Sequence, residues 1–323
     1  MNKLHNENDL IRRIEKMFDG PKSKALRLGL GDDAALWQPR PGHETVLTSD
    51  WFLEDSHFFR EKHPADSVGW KCLARAVSDI AAMGGNPRCF LLSLALPVEL
   101  AGKWLGGFLL GLRRASRALR CELAGGDTTR RDKVLISITV LGEIRQGRAL
   151  LRSGAHVGDA IYVSGSLGAA EAGLRELNER KGIAAPTNSA LRKHLYPEPR
   201  LALGRWLAEQ QLATAAMDLS DGLSSDLPRL CAASGVGARL DLAALPIHAS
   251  VTTRQAQALA LHGGDDYELL FTVARRNIAK IPAHFEGLLL TNVGEITRRM
   301  RMVVNDAGKL RNLEAGGWDP FRR

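Results

Sequence analysis

Apolar residues recur at every second position in several short segments of this chain, which is the pattern of half-buried β-strands. Strands are predicted at 45–48, 90–96, 134–144, 160–164, 238–242 and 268–273. Between them, apolar residues recur every three to four positions, as in amphipathic helices. Helices are predicted at about 7–18, 66–83, 99–119, 168–180, 200–210 and 223–234. Because strands and helices do not alternate one for one, the pattern favours an α+β fold over a doubly wound parallel sheet.

The length of 323 residues allows two domains of ordinary size. The polar segment 145–148 follows the longest predicted strand, and a new strand–turn–helix pattern begins at Gly158. We therefore expect an N-terminal domain of residues 1–147 and a C-terminal domain of residues 148–323. The halves also resemble each other faintly, because each carries a Gly-Gly-Asp sequence before a strand, at 125–127 and 263–265.

The composition is that of a soluble globular protein, with 45% apolar and 25% charged residues. The polar, acidic N-terminus does not resemble a signal peptide, and no apolar run approaches the roughly 20 residues of a membrane-spanning helix. The four cysteines are far apart, so neither a disulfide framework nor a zinc site is expected. These features predict a cytoplasmic protein without a membrane partner.

The net charge of +8 raises the question of nucleic-acid binding. However, the basic residues are dispersed, and the few aromatic residues, 6% of the chain, do not alternate with them as they do in single-strand binding surfaces. Nucleic acid is therefore not an expected partner. A basic surface could instead steer polyanionic nucleotides toward the protein.

Short clusters of acidic residues and glycine or hydroxyl residues are the main chemical signal. They lie at Gly31-Asp32-Asp33, Thr48-Ser49-Asp50, Gly125-Gly126-Asp127-Thr128-Thr129, Asp218-Leu219-Ser220-Asp221-Gly222 and Gly263-Gly264-Asp265-Asp266-Tyr267-Glu268. We expect each cluster to form a turn. Carboxylates that converge repel one another unless cations hold them, and oxygen ligands suit Mg²⁺. Together with glycine-rich turns, they suggest nucleotide phosphate chemistry.

Asp79 is the most informative single residue. It falls on the apolar stripe of the helix predicted at 66–83 and in its last turn, where the helix dipole disfavours an anion by about 0.3–1 kcal/mol. A cation must therefore be close. An ion pair with Arg75, one turn earlier, and metal ligation both remain open.

Several other residues have both a structural and a functional interpretation. Ser220 or Asp221 could cap the helix predicted at 223, but a cap does not explain Asp218. Gly126 and Asp127 could form an ordinary turn or approach phosphate and Mg²⁺. Arg152 suits either a surface position or a bidentate phosphate contact, and His57 either a structural role or ligand binding.

In their order along the chain, these motifs resemble the thiamine-monophosphate kinase family, within the aminoimidazole-ribonucleotide synthetase-like superfamily. The resemblance runs nearly end to end. It rests on the sequences at 29–35, 48–50 with His57-Phe58, 78–84, 125–129, 151–155, 218–223, 263–269 and Gly317-Trp318. The ordered set is far more specific than any one motif.

The resemblance implies ATP-dependent phosphorylation of thiamine phosphate to thiamine diphosphate, assisted by several Mg²⁺ ions. The implied metal ligands are Asp33, Thr48, Ser49, Asp50, Asp79, Asp127, Asp218 and Asp221. The implied ATP contacts are Gly126, Asp127, Arg152 and Ser220, and the implied thiamine phosphate contacts are His57, Asp265 and Trp318. Catalysis would depend on Asp50 and Asp127 through metal. The family often has Glu at position 265, and no Tyr near Leu109 is available to pack on adenine.

The resemblance also implies a homodimer, in which the N-terminal α/β domain contributes to a dimeric β-barrel and is followed by an α+β C-terminal domain. The sequence lacks a P-loop and the protein-kinase motifs. Two alternatives remain. One is another synthetase of the superfamily, for selenophosphate or aminoimidazole ribonucleotide. A selenophosphate enzyme is expected to carry a reactive Cys or selenocysteine in a glycine-rich N-terminal loop, and this sequence has no Cys before Cys72. The other is a non-catalytic nucleotide- or RNA-binding module.

Overall fold

A computed structural model describes residues 7–19, 25–30, 34–183, 185, 188–251 and 255–321. The chain forms two compact units. The first comprises Met1–Ile80, Gly85–Gln146 and Asn178–Ala185, and the second comprises Ala81–Gly84, Gly147–Leu177 and Pro186–Arg323. The domain boundary predicted between residues 147 and 148 stays a prediction.

The first unit is built mainly on one four-stranded sheet with helices. Its elements are α1 (Glu7–Phe18), β1 (Leu26–Leu28), β2 (Leu36–Trp37), β3 (His43–Leu53), α2 (Ala65–Ala82, which ends in the second unit), β4 (Asn86–Leu96), a 3₁₀ turn (Val98–Ala101), α3 (Lys103–Leu119), β5 (Glu122–Arg130) and β6 (Leu135–Arg145). The sheet order is β3-β6-β4-β5, and only β4 and β5 run parallel. In the part of the chain that the structure describes, this sheet is open and does not close into a barrel.

Helix α2 covers one face of this sheet. Strand alternation buries Val46 and Phe52 of β3 on that face, whereas Leu47 and Trp51 on the other face are 64% and 59% exposed. Helix α3 crosses α2 very closely at Gly111, where an added Cβ would lie 1.8 Å from the Asp66 carbonyl oxygen. Glycine is therefore required at this helix crossing.

The second unit contains an eight-stranded sheet. Its elements are β7 (Ala160–Ser164), α4 (Ala169–Glu179, whose end belongs to the first unit), α5 (Ser189–Leu195), α6 (Leu201–Glu209), β8 (Ala213–Leu219), α7 (Leu223–Ser234), β9 (Gly237–Asp241), α8 (Ala256–His262), β10 (Glu268–Val273), β11 (His284–Phe285), β12 (Leu288–Thr297), β13 (Met302–Asp306) and β14 (Lys309–Asn312), with 3₁₀ turns at Leu242–Ala244 and Arg275–Lys280. The order is β14-β13-β9-β12-β7-β10-β8, and β11 pairs with β12. Neighbours are antiparallel except β9 and β13.

The core of the second unit lies between α7 and this sheet. Leu227 and Leu230 of α7 pack in one cluster with Val163, Met217 and Leu270 from three adjacent strands. Burial of these side chains fixes α7 against β8, its predecessor in the chain. The chain therefore turns sharply between the two elements, through residues 220–222.

The predicted two-domain α+β architecture is confirmed, and the helices predicted from periodicity are present within a few residues. The prediction that every acidic cluster forms a turn is wrong for two of them. Residues 48–50 lie inside β3, and residues 125–129 lie inside β5. Among the described residues, no helix is both long and apolar enough to cross a membrane.

Candidate functional site

Three of the predicted metal ligands of the first unit lie on the α2 side of its sheet. Thr48 and Asp50 project from β3 in the same direction, because they are two residues apart on one strand. The Thr48 hydroxyl donates a hydrogen bond to the Asp79 carboxylate on α2. All three side chains are half-buried. This arrangement brings hydroxyl and carboxylate oxygens together without nitrogen or sulfur ligands, a set that fits Mg²⁺.

Ser49 and His57 are placed differently. Ser49 projects from the opposite face of β3, and its hydroxyl lies 3.0 Å from that of Thr139, so its side chain is not grouped with Thr48 and Asp50. The Nδ1 atom of His57 accepts a hydrogen bond from the backbone N–H of Leu53 at 3.0 Å. This contact gives His57 a structural role and leaves the ring proton on Nε2.

Gly126 and Asp127 lie on β5, at the far edge of the sheet from β3. The register aligns Asp50, Ile138, Leu92 and Gly126 across the four strands. Three strand spacings separate the ends of this row, or about 14 Å. Asp127 is exposed, and its carboxylate accepts the N–H of Thr128 at 2.9 Å. One sheet therefore does not bring Asp50 and Asp127 to the same ion.

In the second unit, backbone hydrogen bonds gather several predicted residues at the end of β8. Asp218 is buried near the end of that strand, and Ser220 and Asp221 follow it. The N–H of Asp265 donates to the Ser220 carbonyl at 2.8 Å, and the N–H of Trp318 donates to the Asp221 carbonyl at 2.9 Å. Chain segments far apart in sequence thus meet at one turn.

Arg152 lies beside the same strand. The carbonyl of its neighbour Leu151 accepts the N–H of Ala216 on β8 at 2.8 Å, and the Arg152 carbonyl accepts from the Ser234 hydroxyl at 3.0 Å. The backbone of Arg152 is thereby fixed while its side chain stays exposed. An exposed guanidinium on a fixed backbone suits binding of an anionic ligand.

The charges at the β8–α7 turn are balanced by a residue that the sequence reasoning missed. Arg229 Nη1 lies 2.5 Å from Asp221 Oδ2 and 2.7 Å from Asp226 Oδ1. Asp226 also accepts the N–H groups of Asp221 and Gly222. Burial and the neighbouring Asp221 charge raise the pKa of Asp226 to about 6. The prediction that Ser220 or Asp221 caps α7 is wrong, because Gly222 is the N-cap and Asp226 satisfies the amides before it.

The Asp265 carboxylate is contacted by two other side chains, Tyr267 and His194. The backbone of Asp265 has a positive φ of 65°, and its Oδ1 atom accepts a hydrogen bond from the Tyr267 hydroxyl at 2.7 Å. The imidazole Nδ1 of buried His194 lies 3.8 Å from the other carboxylate oxygen. Neither contact with Asp265 was predicted, because both depend on the folded conformation of the loop.

Two further acids of the 263–268 cluster are structural. Asp266 is buried and accepts the N–H groups of Gly168 and Ala170 at the start of α4. Burial raises the pKa of Asp266 to about 7. Glu268 is fully buried and accepts hydrogen bonds from Lys193 at 2.8 Å and Arg200 at 2.6 Å. Of the three acids in this cluster, Asp265 alone remains partly exposed.

The described residues contain no group of three or more His, Cys, Asp or Glu side chains positioned to hold a metal ion. Asp33 lies outside the described residues. Its role as a metal ligand therefore stays a prediction, as do the metal, ATP and substrate roles of the other implied residues.

The chain matches two models of protein families. The model described as AIR synthase related protein, N-terminal domain, matches residues 31–144, and the one described as AIR synthase related protein, C-terminal domain, matches residues 156–306. Together they cover most of the chain. The chain therefore belongs to the AIR synthase related proteins.

Comparison with individual proteins shows to which group within this family the chain is similar. The chain is 38% identical to thiamine-monophosphate kinase of Escherichia coli (strain K12), over 95% of this chain and 97% of that protein. The crystal structure of thiamine-monophosphate kinase from Stenotrophomonas maltophilia K279a superposes with a TM-score of 0.80 at 36% identity, covering 93% of this chain and 96% of that one. A structure of AaThiL complexed with AMPPCP and TMP gives a TM-score of 0.77 at 32% identity, covering 99% of both chains. Within its class, the chain is a member of the thiamine-monophosphate kinase family and is a kinase.

Proposed function

We propose that this protein transfers the γ-phosphoryl group of ATP directly, in line, to thiamine phosphate, forming thiamine diphosphate with the help of several Mg²⁺ ions. One observation carries the proposal. The β8–α7 turn gathers Ser220, Asp221, Asp265 and Trp318 from three distant parts of the sequence. The family resemblance gives these residues roles in binding ATP, metal and substrate. In addition, AaThiL, which is similar to this chain over its whole length, was solved in complex with AMPPCP and TMP.

The main barrier to this reaction is repulsion between two polyanions. At about 4 Å and an effective dielectric constant near 20, two unit charges repel by roughly 4 kcal/mol. Mg²⁺, when bound, would offset this repulsion and stabilise the transferring group. Asp50 and Asp79 would hold it in the first unit, with the Thr48 hydroxyl orienting the Asp79 carboxylate. Asp127 would act at a separate position on the same sheet.

Residues of the second unit have complementary roles. Arg152 would hold a phosphate through its exposed guanidinium, on a backbone fixed beside β8. Asp265 would bind the cationic part of thiamine phosphate, and Trp318, which is 49% exposed, would stack on the heterocycle. The carboxylate of Asp265 is pre-oriented by Tyr267. The side chain is one methylene shorter than the Glu that is frequent in the family, so the shorter carboxylate must reach the substrate at this position.

The acceptor needs no strong general base. The second pKa of a phosphate monoester is about 6, so thiamine phosphate is already a dianion for the most part near neutral pH. The acceptor oxygen therefore carries no proton that must be removed. The residues assigned here accordingly serve to bind, orient and neutralise charge.

We further propose that the protein is a homodimer that forms a β-barrel from the N-terminal sheets of two copies. The support is the open four-stranded sheet, whose face opposite α2 exposes Leu47 and Trp51 on the edge strand β3. Large apolar side chains adjacent on one strand face are typical of a surface that a partner covers.

The direct test is incubation of the purified protein with MgATP and thiamine phosphate, followed by chromatography. We expect thiamine diphosphate and ADP in equal amounts. Unphosphorylated thiamine serves as the matched control, and it should yield no product, because it lacks the phosphate acceptor. The proposal is refuted if ADP release does not depend on thiamine phosphate, and selenide-dependent ATP consumption would favour a different synthetase.

A further inference from the structure

The C-terminal segment Gly316–Trp318 is held against the start of α7 by an unusual set of contacts. The N–H of Gly316 donates to the Ser224 hydroxyl at 3.2 Å, and the N–H of Gly317 donates to the Ser225 hydroxyl at 3.1 Å. The N–H of Trp318 donates to the Asp221 carbonyl at 2.9 Å. Three consecutive backbone amides are therefore satisfied by one turn of the protein.

Steric contacts at Gly317 show how close this approach is. An added Cβ would lie 2.0 Å from the Asp221 carbonyl oxygen and 2.5 Å from Ser225 Oγ. The nearer atom belongs to the backbone of the β8–α7 turn, which the core packing of α7 keeps in place. The segment can dock in this way only with glycine at position 317.

A histidine completes the arrangement. His262, at the end of α8, has its Nδ1 atom 2.8 Å from Ser224 Oγ. Burial lowers the pKa of His262, which favours the neutral ring. The Ser224 hydroxyl can then donate its proton to Nδ1 while its oxygen accepts the N–H of Gly316. His262 thus orients the Ser224 hydroxyl so that its oxygen accepts a hydrogen bond from the segment Gly316–Trp318.

These contacts hold Trp318 through its backbone. Its backbone is fixed beside Asp221, whereas the residue as a whole is 49% exposed. Phe321, three residues further on, is 92% exposed. The anchoring therefore ends at Trp318 and leaves that indole ring available for a planar ligand.

We propose that Ser224, Ser225, His262 and Gly317 form a clamp that positions Trp318 for recognition of the cationic heterocycle of the substrate. This inference rests on the proposed function, in which Trp318 stacks on thiamine phosphate. The clamp residues are positioning residues and do not touch the substrate. They determine binding of thiamine phosphate and leave binding of MgATP unchanged.

The test compares Ser225→Ala, Ser225→Thr, Gly317→Ala and the control Phe321→Ala. One lost hydrogen bond, about 1 kcal/mol, corresponds to about a fivefold rise in KM for thiamine phosphate in Ser225→Ala. Gly317→Ala should raise this KM by about tenfold or more, since it displaces the whole segment. KM for MgATP should stay within about twofold in every variant. Ser225→Thr, which keeps the hydroxyl, and Phe321→Ala should behave as wild type.

Hydrogen exchange of the peptide covering residues 311–321 gives a second readout that does not depend on turnover. Exchange should accelerate in Ser225→Ala and Gly317→Ala and remain unchanged in Phe321→Ala. Unchanged exchange in Gly317→Ala would refute the clamp. Accelerated exchange with an unaltered KM for thiamine phosphate would refute its role in recognition. Absence of thiamine phosphate turnover in the wild type would instead refute the proposed function, and the exchange data would still decide whether the clamp exists.

Discussion

Asp50 and Asp127 lie at opposite edges of the four-stranded sheet, so each is expected to be required independently. Asp50→Asn and Asp127→Asn preserve size and remove one negative charge. We expect both variants to fold normally and to lose turnover by about 100-fold or more, because charge stabilisation of a transferring group is a large catalytic term. The measurement is steady-state formation of thiamine diphosphate, together with thermal unfolding.

Asp132→Asn is the matched control for this pair. Asp132 is an exposed carboxylate on the connection between β5 and β6, with no assigned role. It should retain wild-type turnover. Near-normal turnover in both Asp50→Asn and Asp127→Asn would contradict their assignment to metal binding.

The sequence allowed Asp79 to be singled out because a carboxylate on an apolar helix stripe needs a partner. Its contact with Thr48, 31 residues away, could not be derived from helix periodicity. The same holds for the ion pair of Asp221 with Arg229, which depends on how α7 follows the turn. Residue type and local pattern thus identified candidates, and long-range packing determined their partners.

At the scale of elements, Gly126 has a structural explanation that the motif did not suggest. An added Cβ would lie 1.9 Å from the Leu92 carbonyl oxygen on β4, and its φ of 153° is rare for other residues. For Gly125, the nearest atom would be a Leu91 methyl group at an ordinary 3.4 Å. Gly126→Ala should therefore lower the unfolding free energy by about 2 kcal/mol or more.

Gly125→Ala is the matched control, and it should change stability by less than about 1 kcal/mol. Urea unfolding of both variants measures the difference. Equal stability losses would show that the close β4–β5 pairing does not explain the glycine at position 126.

The six longer helices, α1, α2, α3, α4, α6 and α7, were predictable because their amphipathic repeats are long enough to recognise. The strand identity of residues 125–129 was not, since glycine, aspartate and threonine in this order are typical of a turn. Pairing with β4 overrides that local preference. The short helices α5 and α8, each of 7 residues, were also missed, because two turns give too little periodicity.

Glu268 links β10 to α5 and to the residue that precedes α6. Burial opposes its ionisation, but hydrogen bonding to Arg200 and the charges of Lys193 and Arg200 outweigh burial and lower its pKa. Glu268→Gln leaves those cations without their buried anion and should lower the unfolding free energy at pH 7 by about 3–5 kcal/mol. Because the folded-state pKa lies below the unfolded-state value, the stabilisation is complete above the unfolded-state pKa and is lost as pH falls through the folded-state pKa.

Urea unfolding at pH 7 and at successively lower pH tests this expectation. The stability gap between wild type and Glu268→Gln should narrow as the solution is acidified. Glu295→Gln is the control, because its ion pair with Arg239 is half exposed and should contribute less than about 1 kcal/mol. A gap that is independent of pH would contradict the ionised state of Glu268.

At the scale of the whole molecule, the two units divide the assigned chemistry. The first unit supplies carboxylate and hydroxyl oxygens from strands and α2, and the second supplies a turn with an arginine, an acid and a tryptophan. The order of these motifs along the chain could be recognised from sequence. Which strands pair, and which face of a sheet is left open, follows from the burial of side chains over the entire unit.

The exposed face of β3 is where the homodimer proposal can be tested. Trp51→Glu places a charge among apolar side chains, which a covered interface would not tolerate. We expect wild type to have twice the chain mass of 35.2 kDa and Trp51→Glu to have the mass of one chain, measured by light scattering during size-exclusion chromatography. Met300→Glu changes an equally prominent apolar side chain, 70% exposed, outside this sheet and should remain dimeric. A dimer that survives Trp51→Glu would show that the second copy does not cover this face, and the β-barrel would have to be abandoned.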